Sequence, residues 1–212
     1  EPWVSGAMAG GCMVIWRVDE QRAQVVDYGM RSPRGLDPKD YPLSGAGPSS
    51  DLFPWQAVVD DRNVQGATAV AVPGVVSGMG LAHERYGRKP WRELVQPAVQ
   101  LAQQGLLVDW YSGLVTASSA RALSQDPHAA AMFLDEGTWP IMGSWTSTTP
   151  RRLDQRALAV SLQHIAEEGP RALYEGSLAR ALAQDVQAKG GCLAEADLAA
   201  YQAQWVDPLT VA

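Results

Sequence analysis

Apolar residues recur at helical spacing in separate blocks of this chain, and several of the blocks stop at a glycine. Val75, Val76, Met79, Leu81 and Ala82 run to Tyr86-Gly87. Leu94, Val95, Ala98, Leu101 and Ala102 run to Gly105. Leu158, Leu162 and Ile165 form a third block, and Leu178, Ala181, Leu182 and Val186 end at Gly190-Gly191. This period predicts amphipathic helices over 75–86, 91–104, 153–168 and 177–189, each of which must bury one face against something else. Gly87 reads as a left-handed C-cap. Pro97 falls inside the second block, where its missing N–H predicts a kink or a restart.

Strand-like segments precede and separate these helices. Cys12 to Trp16 is a continuous apolar run after Gly10-Gly11, Gln24 to Tyr28 is a second β-type run, and Asp19-Glu20-Gln21-Arg22 between them predicts a hairpin. From Ser32 to Pro54 prolines and glycines accumulate without periodicity, which predicts a long surface loop. Further helix is expected over 110–133, interrupted at Asp126-Pro127, then a Thr, Ser and Trp-rich connector over 137–150. Asp197 to Tyr201 starts another helical turn, and Pro208 to Ala212 turns β-like.

With 212 residues and 46% hydrophobic side chains, the chain can bury a substantial core. A formal net charge of -6 and the lack of a basic stripe argue against an electrostatic nucleic-acid partner. No apolar run reaches the roughly 20 residues that cross a bilayer, so no membrane partner is expected. Cys12 and Cys192 are read as small buried or half-buried apolar residues. His83, His128 and His164 lack the spacing of a zinc site, and no cofactor or metal is expected. His83 is assigned a structural place near a helix C-terminus. Asp109, Trp110 and Tyr111 could border a pocket, but packing is the preferred reading for them and for the other tryptophans. Glu167-Glu168 and Asp60-Asp61 are read as solvated charges.

Order and spacing carry more than any single motif. Glu1-Pro2, Ser5-Gly6 and Gly10-Gly11 are followed by Ala71-Val72-Pro73-Gly74-Val75-Val76-Ser77-Gly78. Ala82-His83 with Tyr86-Gly87 comes next, then Pro97-Ala98 with Leu101-Ala102 and Gly105. Ile165 to Pro170 with Tyr174 and Gly176, and Gly190-Gly191 before Asp197-Leu198 and Tyr201, complete the set. In this order the landmarks resemble the large-subunit portion of the γ-glutamyltransferase and cephalosporin acylase family of N-terminal-nucleophile hydrolases.

The resemblance implies an α+β fold, a four-layer αββα sandwich, with this chain supplying mainly helices and a few central strands. Residues 1–212 would be part of the large subunit of a single domain, incomplete at both ends and lacking the small catalytic subunit. The family's nucleophile is the N-terminal Thr of that small subunit, so no catalytic residue is expected here. Thr148-Thr149 is read as a loop pair, since Pro150 follows it and large-subunit landmarks come later. The expected partners are the small subunit of the same precursor and a γ-glutamyl or dicarboxylic acyl amide. Bacterial relatives in the family are often periplasmic or secreted. A noncatalytic helical module that binds a partner is the alternative class.

Transpeptidases of the family hold a substrate carboxylate with an Arg in a run like D-x-R-x-x-x-P. The matching run is Asp27-Tyr28-Gly29-Met30-Arg31-Ser32-Pro33, with Gly29 in the Arg slot. Residues i and i+2 of an extended strand share a face. Arg31 therefore either reaches the same cavity from a shifted origin or is a surface arginine at the start of the proline-rich segment. The substitution keeps open both a γ-glutamyltransferase or glutathione hydrolase and a glutaryl or cephalosporin acylase-type enzyme.

Overall fold

A computed structural model describes residues 8–49, 54–142 and 150–210. Glu1-Pro2, Ser5-Gly6, Thr148-Thr149 and Val211-Ala212, singled out above, lie outside the described residues. In chain order the elements are strands β1 (Gly11–Arg17), β2 (Arg22–Tyr28), β3 (Leu43–Pro48) and β4 (Gln56–Val58), then helices α1 (Val75–Tyr86) and α2 (Trp91–Gln104). Next come β5 (Leu106–Leu107), α3 (Trp110–Leu123), α4 (Pro127–Phe133), β6 (Leu134–Asp135), β7 (Trp139–Pro140) and β8 (Arg152–Leu153). Helices α5 (Arg156–Glu168), α6 (Gly176–Ala188) and α7 (Glu195–Ala199) and strand β9 (Gln204–Val206) follow. The chain divides into two compact units, residues 1–88 with 170–212, and residues 89–169. No helix among the described residues is long and apolar enough to cross a membrane.

The first unit is organised on an antiparallel sheet of order β1-β2-β9. The expected hairpin is present, with Met13 opposite Val26 and Val14 opposite Val25. Alternation sends Met13, Ile15 and the fully buried Val26 to one face. The other face is apolar too: Val14 is 64% exposed, Trp16 54% and Val206 40%, with Val25 between them. Cys12 also points that way and is exposed, correcting the burial expected for it. A strand forms at Gln204–Val206, upstream of the β-like stretch expected from Pro208, and residues 208–210 are not in a strand, Pro208 having no N–H for a ladder.

The proline-rich stretch supplies one strand of a second antiparallel pair that the sequence does not announce. β3 pairs with β4, Leu43 opposite Val58 and Pro48 opposite Gln56, with a register irregularity between them. Its strand is Leu-Ser-Gly-Ala-Gly-Pro, largely exposed, with Gly45 and Gly47 at positive φ. Such a segment carries no hydrophobic alternation to be read.

Helix α1 packs by its buried Val76, Gly78 and Gly80. At Gly78 an added Cβ would lie 2.3 Å from the Tyr28 ring, so β2 and α1 meet too closely for a side chain there. Gly87 does not adopt the left-handed cap conformation; its φ is -63°. Glycine is required for a different reason, since a Cβ would fall 2.3 Å from His83 Cδ2 and 2.5 Å from the His83 carbonyl oxygen. Toward the end of the unit, Ala179, Ala183 and Val186 of α6 are buried, as are Leu193 and Leu198. The Asp197 carboxylate accepts the amides of Ala194 and of the distant Arg34, tying α7 to the chain after β2.

The second unit is built on α2 against α5, where Val99, Ala102 and Ala159 are buried with Val95 and Leu162 against them. The helix runs through Pro97 without restarting. Its core face is shifted from the expected one: Leu94 is 50% and Leu101 66% exposed, while Val99 is fully buried. Gly105 ends it at φ +78°, where a Cβ would sit 2.6 Å from the Leu153 carbonyl oxygen. The break at Asp126-Pro127 is as expected, with Pro127 opening α4 and the Asp126 carboxylate accepting the amides of His128 and Ala129. The described tryptophans divide: Trp91 is half-buried and donates to the Ile165 carbonyl at 2.8 Å, and Trp205 is half-buried, whereas Trp110 is 79% and Trp139 67% exposed.

Candidate functional site

Strand β2 leaves the sheet at Tyr28, and the next residues are held by contacts from distant parts of the chain. The Asp27 carboxylate accepts the Gly29 amide with one oxygen at 2.9 Å and Arg31 Nη2 with the other at 3.1 Å. Arg31 forms a two-way backbone bridge with Val72: its amide donates to the Val72 carbonyl at 3.3 Å and its carbonyl accepts the Val72 amide at 2.8 Å. The Gly29 carbonyl accepts the Tyr201 hydroxyl at 2.8 Å. Amide and carbonyl of the residue in the family's arginine slot are thus both engaged.

Arg31 stands beside that slot. A Cβ added to Gly29 would lie 3.8 Å from Arg31 Nη1 and 3.2 Å from Asp27 Oδ1. The guanidinium therefore occupies the neighbourhood in which a side chain at position 29 would begin. The Arg31 side chain is 54% exposed and that of Asp27 34%, so the pair faces solvent. The Asp27 carboxyl is held below the usual carboxylate range, first by the Gly29 amide and then by Arg31, against the opposing effect of desolvation.

Beneath this pair lies a polar core that fixes the Val72-Pro73-Gly74 turn. The Tyr174 hydroxyl, fully buried, donates to the Pro73 carbonyl and accepts the Ser77 amide, both at 3.0 Å. Ser77 occupies the third position of α1, so its N–H has no partner within the helix. The cap residue Gly74 offers no side chain, and the amides of Gly74 and Val75 donate to the Ala9 carbonyl. Tyr174 stacks on Tyr201 with ring centres 5.5 Å apart. A Cβ at Gly74 would lie 1.9 Å from the Tyr28 carbonyl oxygen and 2.3 Å from the Tyr201 hydroxyl. Burial, above all, raises both tyrosine hydroxyls above their ordinary range. Arg171 completes the surround by donating to the carbonyls of Tyr201 and Ala199 and pairing with Glu175.

Other candidate residues are placed away from this constellation. His83 lies in the last turn of α1, packed against Gly87, and His164 faces Glu168 at 3.4 Å. Asp109 caps α3, accepting the Ser112 amide at 2.7 Å and hydroxyl at 2.6 Å; these bonds lower its pKa. It also borders an open groove with Trp110, Leu114 and Met142. Among the described residues no group of three His, Cys, Asp or Glu side chains is placed to hold a metal ion. Asp27 and Tyr201 belong to the landmarks that carry the family resemblance, but the sequence assigns neither of them a place at the site. The Asp-x-Gly spacing is a readable sign of a side chain accepting an amide two residues on; the Tyr201 contact has no local sign.

The gamma-glutamyltranspeptidase family profile matches residues 1–212. The Acylase ACY 1 proenzyme of a Pseudomonas species is 36% identical over 209 residues, covering 99% of this chain and 35% of that protein. The glutathione hydrolase proenzyme of Escherichia coli is 29% identical over 214 residues, covering 97% of this chain and 33% of its own length. The chain thus spans about a third of the length of these curated relatives. The crystal structure of Helicobacter pylori gamma-glutamyltranspeptidase matches with a TM-score of 0.82 at 22% identity, over 98% of this chain and 55% of that one. Cephalosporin acylase from Bacillus halodurans matches at 0.75 and 22% identity, over 100% of this chain and 37% of the other. The mixed helix and strand fold is the one these enzymes share, and the family profile runs through both units and the Asp27–Arg31 junction. This chain belongs to the gamma-glutamyltranspeptidase family.

Proposed function

We propose that this chain is the large-subunit part of an autoprocessed amidohydrolase or acyltransferase that acts on γ-glutamyl or similar dicarboxylic acyl amides. The observation that carries the reading is the place of Arg31. Its guanidinium stands beside the empty side-chain position of Gly29, held by Asp27 and left half open to solvent. A planar guanidinium with outward N–H groups suits a terminal carboxylate. On this reading Arg31 receives the carboxylate of the acyl group and the nucleophile is the N-terminal Thr of the small subunit. The amine of that Thr takes its hydroxyl proton, an acyl-enzyme forms, and water or an acceptor amine resolves it. No step of this chemistry is assigned to a side chain of the present chain.

Two further features support the two-subunit architecture and the four-layer single domain. The β1-β2-β9 sheet is apolar on both faces, and one face, with Val14, Trp16 and Val206, is exposed. Among the described residues β1 and β9 each pair on one side only. Both are surfaces on which further strands of the same precursor would lie.

Gly29 favours a second, related reading, a glutaryl or cephalosporin acylase-type enzyme, and the 36% identity to an acylase proenzyme points the same way. Steady-state comparison of a γ-glutamyl anilide with a glutaryl anilide, using the complete processed enzyme, separates the two. Absence of turnover on the γ-glutamyl compound rejects the transpeptidase reading, and absence on both rejects the function proposed. Arg31→Ala is expected to raise KM for the acidic acyl groups far more than for uncharged analogues; equal effects would reject the role of Arg31.

A further inference from the structure

We infer that Asp27 is a positioning residue that sets the reach of the Arg31 guanidinium and thereby the length of the diacid acyl group accepted. The inference rests on the reading that Arg31 receives the substrate's terminal carboxylate. An arginine side chain is long and rotamer-rich, so a half-exposed guanidinium on its own samples a wide volume. Here its base and tip are both held. The backbone at Arg31 is bridged in both directions to Val72, and Nη2 is bound by Asp27 Oδ2 at 3.1 Å.

The holder is itself fixed. Asp27 lies in β2, paired on one side with Cys12 and on the other with Gln204. Its second carboxylate oxygen is occupied by the Gly29 amide, and the Tyr201 hydroxyl secures the Gly29 carbonyl. Gly29 contributes by having no side chain, since anything beyond a Cβ would approach Nη1. The result is a cation at one fixed place. Against a nucleophile also fixed in space, a cation with one reach matches one separation between amide carbon and terminal carboxylate. A cation free to swing matches several.

The test uses the complete processed enzyme and four anilides: succinyl, glutaryl, adipyl and the uncharged butyryl. Asp27→Asn and Asp27→Ser both retain an acceptor for the Gly29 amide and both remove the anion that holds Arg31. The wild type is expected to favour one diacid length in kcat/KM. Each variant is expected to keep a preference for diacid over butyryl but to compress the ratio of best to adjacent length about two- to fivefold, the range for a part-exposed ion pair. Arg31→Ala is expected to abolish the preference for diacid itself. A uniform loss on all four anilides with the length ratio intact would make Asp27 merely structural and overturn the inference, as would a wild type indifferent to length. If Arg31→Ala leaves the diacid preference unchanged, the underlying reading of Arg31 fails instead, and that outcome is separately visible.

Discussion

Replacing Tyr174 by Phe removes one oxygen and tests how α1 is held. The ring, its stacking on Tyr201 and nearly all of its volume remain. Two backbone groups lose their partner, the Pro73 carbonyl and the Ser77 amide, each 3.0 Å from the hydroxyl. Ser77 is an N-terminal helix amide that Gly74 cannot cap, so that part of the loss is comparable to deleting a cap, about 0.5–2 kcal/mol. Leaving the buried Pro73 carbonyl unpaired adds about 1–3 kcal/mol. Together these give about 1.5–5 kcal/mol of local stability. At about 1.4 kcal/mol per decade, amide exchange in the first turns of α1 should accelerate by roughly 10- to 4,000-fold. Hydrogen exchange of peptides spanning 73–80, in the complete protein, measures this directly, with peptides from α5 as the internal control. An acceleration under about fivefold would refute the reasoning, because it would mean that water replaces the hydroxyl at little cost.

Two further outcomes concern the scaffold. Gly74→Ala places a methyl group 1.9 Å from the Tyr28 carbonyl oxygen, a backbone atom that cannot step aside. A loss of more than about 3 kcal/mol is expected, read as a lowered denaturation midpoint or failure to accumulate, and a near-neutral variant would contradict the close approach. Asp154 carries the pH prediction: its carboxyl is lowered from 3.8 to about 2, first by the Arg156 side chain and then by the Arg156 amide. A depressed folded-state pKa means the contribution to the start of α5 is present above 3.8 and is lost as pH falls from 3.8 through about 2. An NMR titration of the carboxyl checks this, and a midpoint that stays near 3.8 would reject the pairing.

Local pattern revealed what local forces decide. The first hairpin was legible from two apolar runs around a charged turn, and the helices from their period. The β3–β4 pair was not, because Ser, Gly, Ala and Pro side chains leave no alternation to detect. Gly87 marks the helix end, but not as a left-handed cap: its backbone is extended, and the His83 ring and carbonyl exclude a side chain. In α2, Leu94, Ala98 and Leu101 offered a second apolar face as good as the true one, and only packing against α5 selects Val95, Val99 and Ala102. At the candidate site, Arg31 could be picked out because Gly29 breaks a spacing. The clamp around it could not, since the Tyr201 hydroxyl that holds Gly29 comes from 172 residues away.

That separation also orders events while the chain is being made. The unit carrying the candidate site is assembled from two stretches, and the residues between them, 89–169, form a compact unit of their own. At about 5–20 residues per second, the Gly29 carbonyl waits roughly 10 to 30 s for Tyr201 to be synthesised. Throughout that interval β2 lacks its β9 neighbour, and the Pro73 carbonyl and Ser77 amide lack the tyrosine that satisfies them until Tyr174 emerges. The intervening unit is complete in sequence and can close first. The first hairpin, apolar on both faces, is therefore the segment of the nascent chain most in need of shielding.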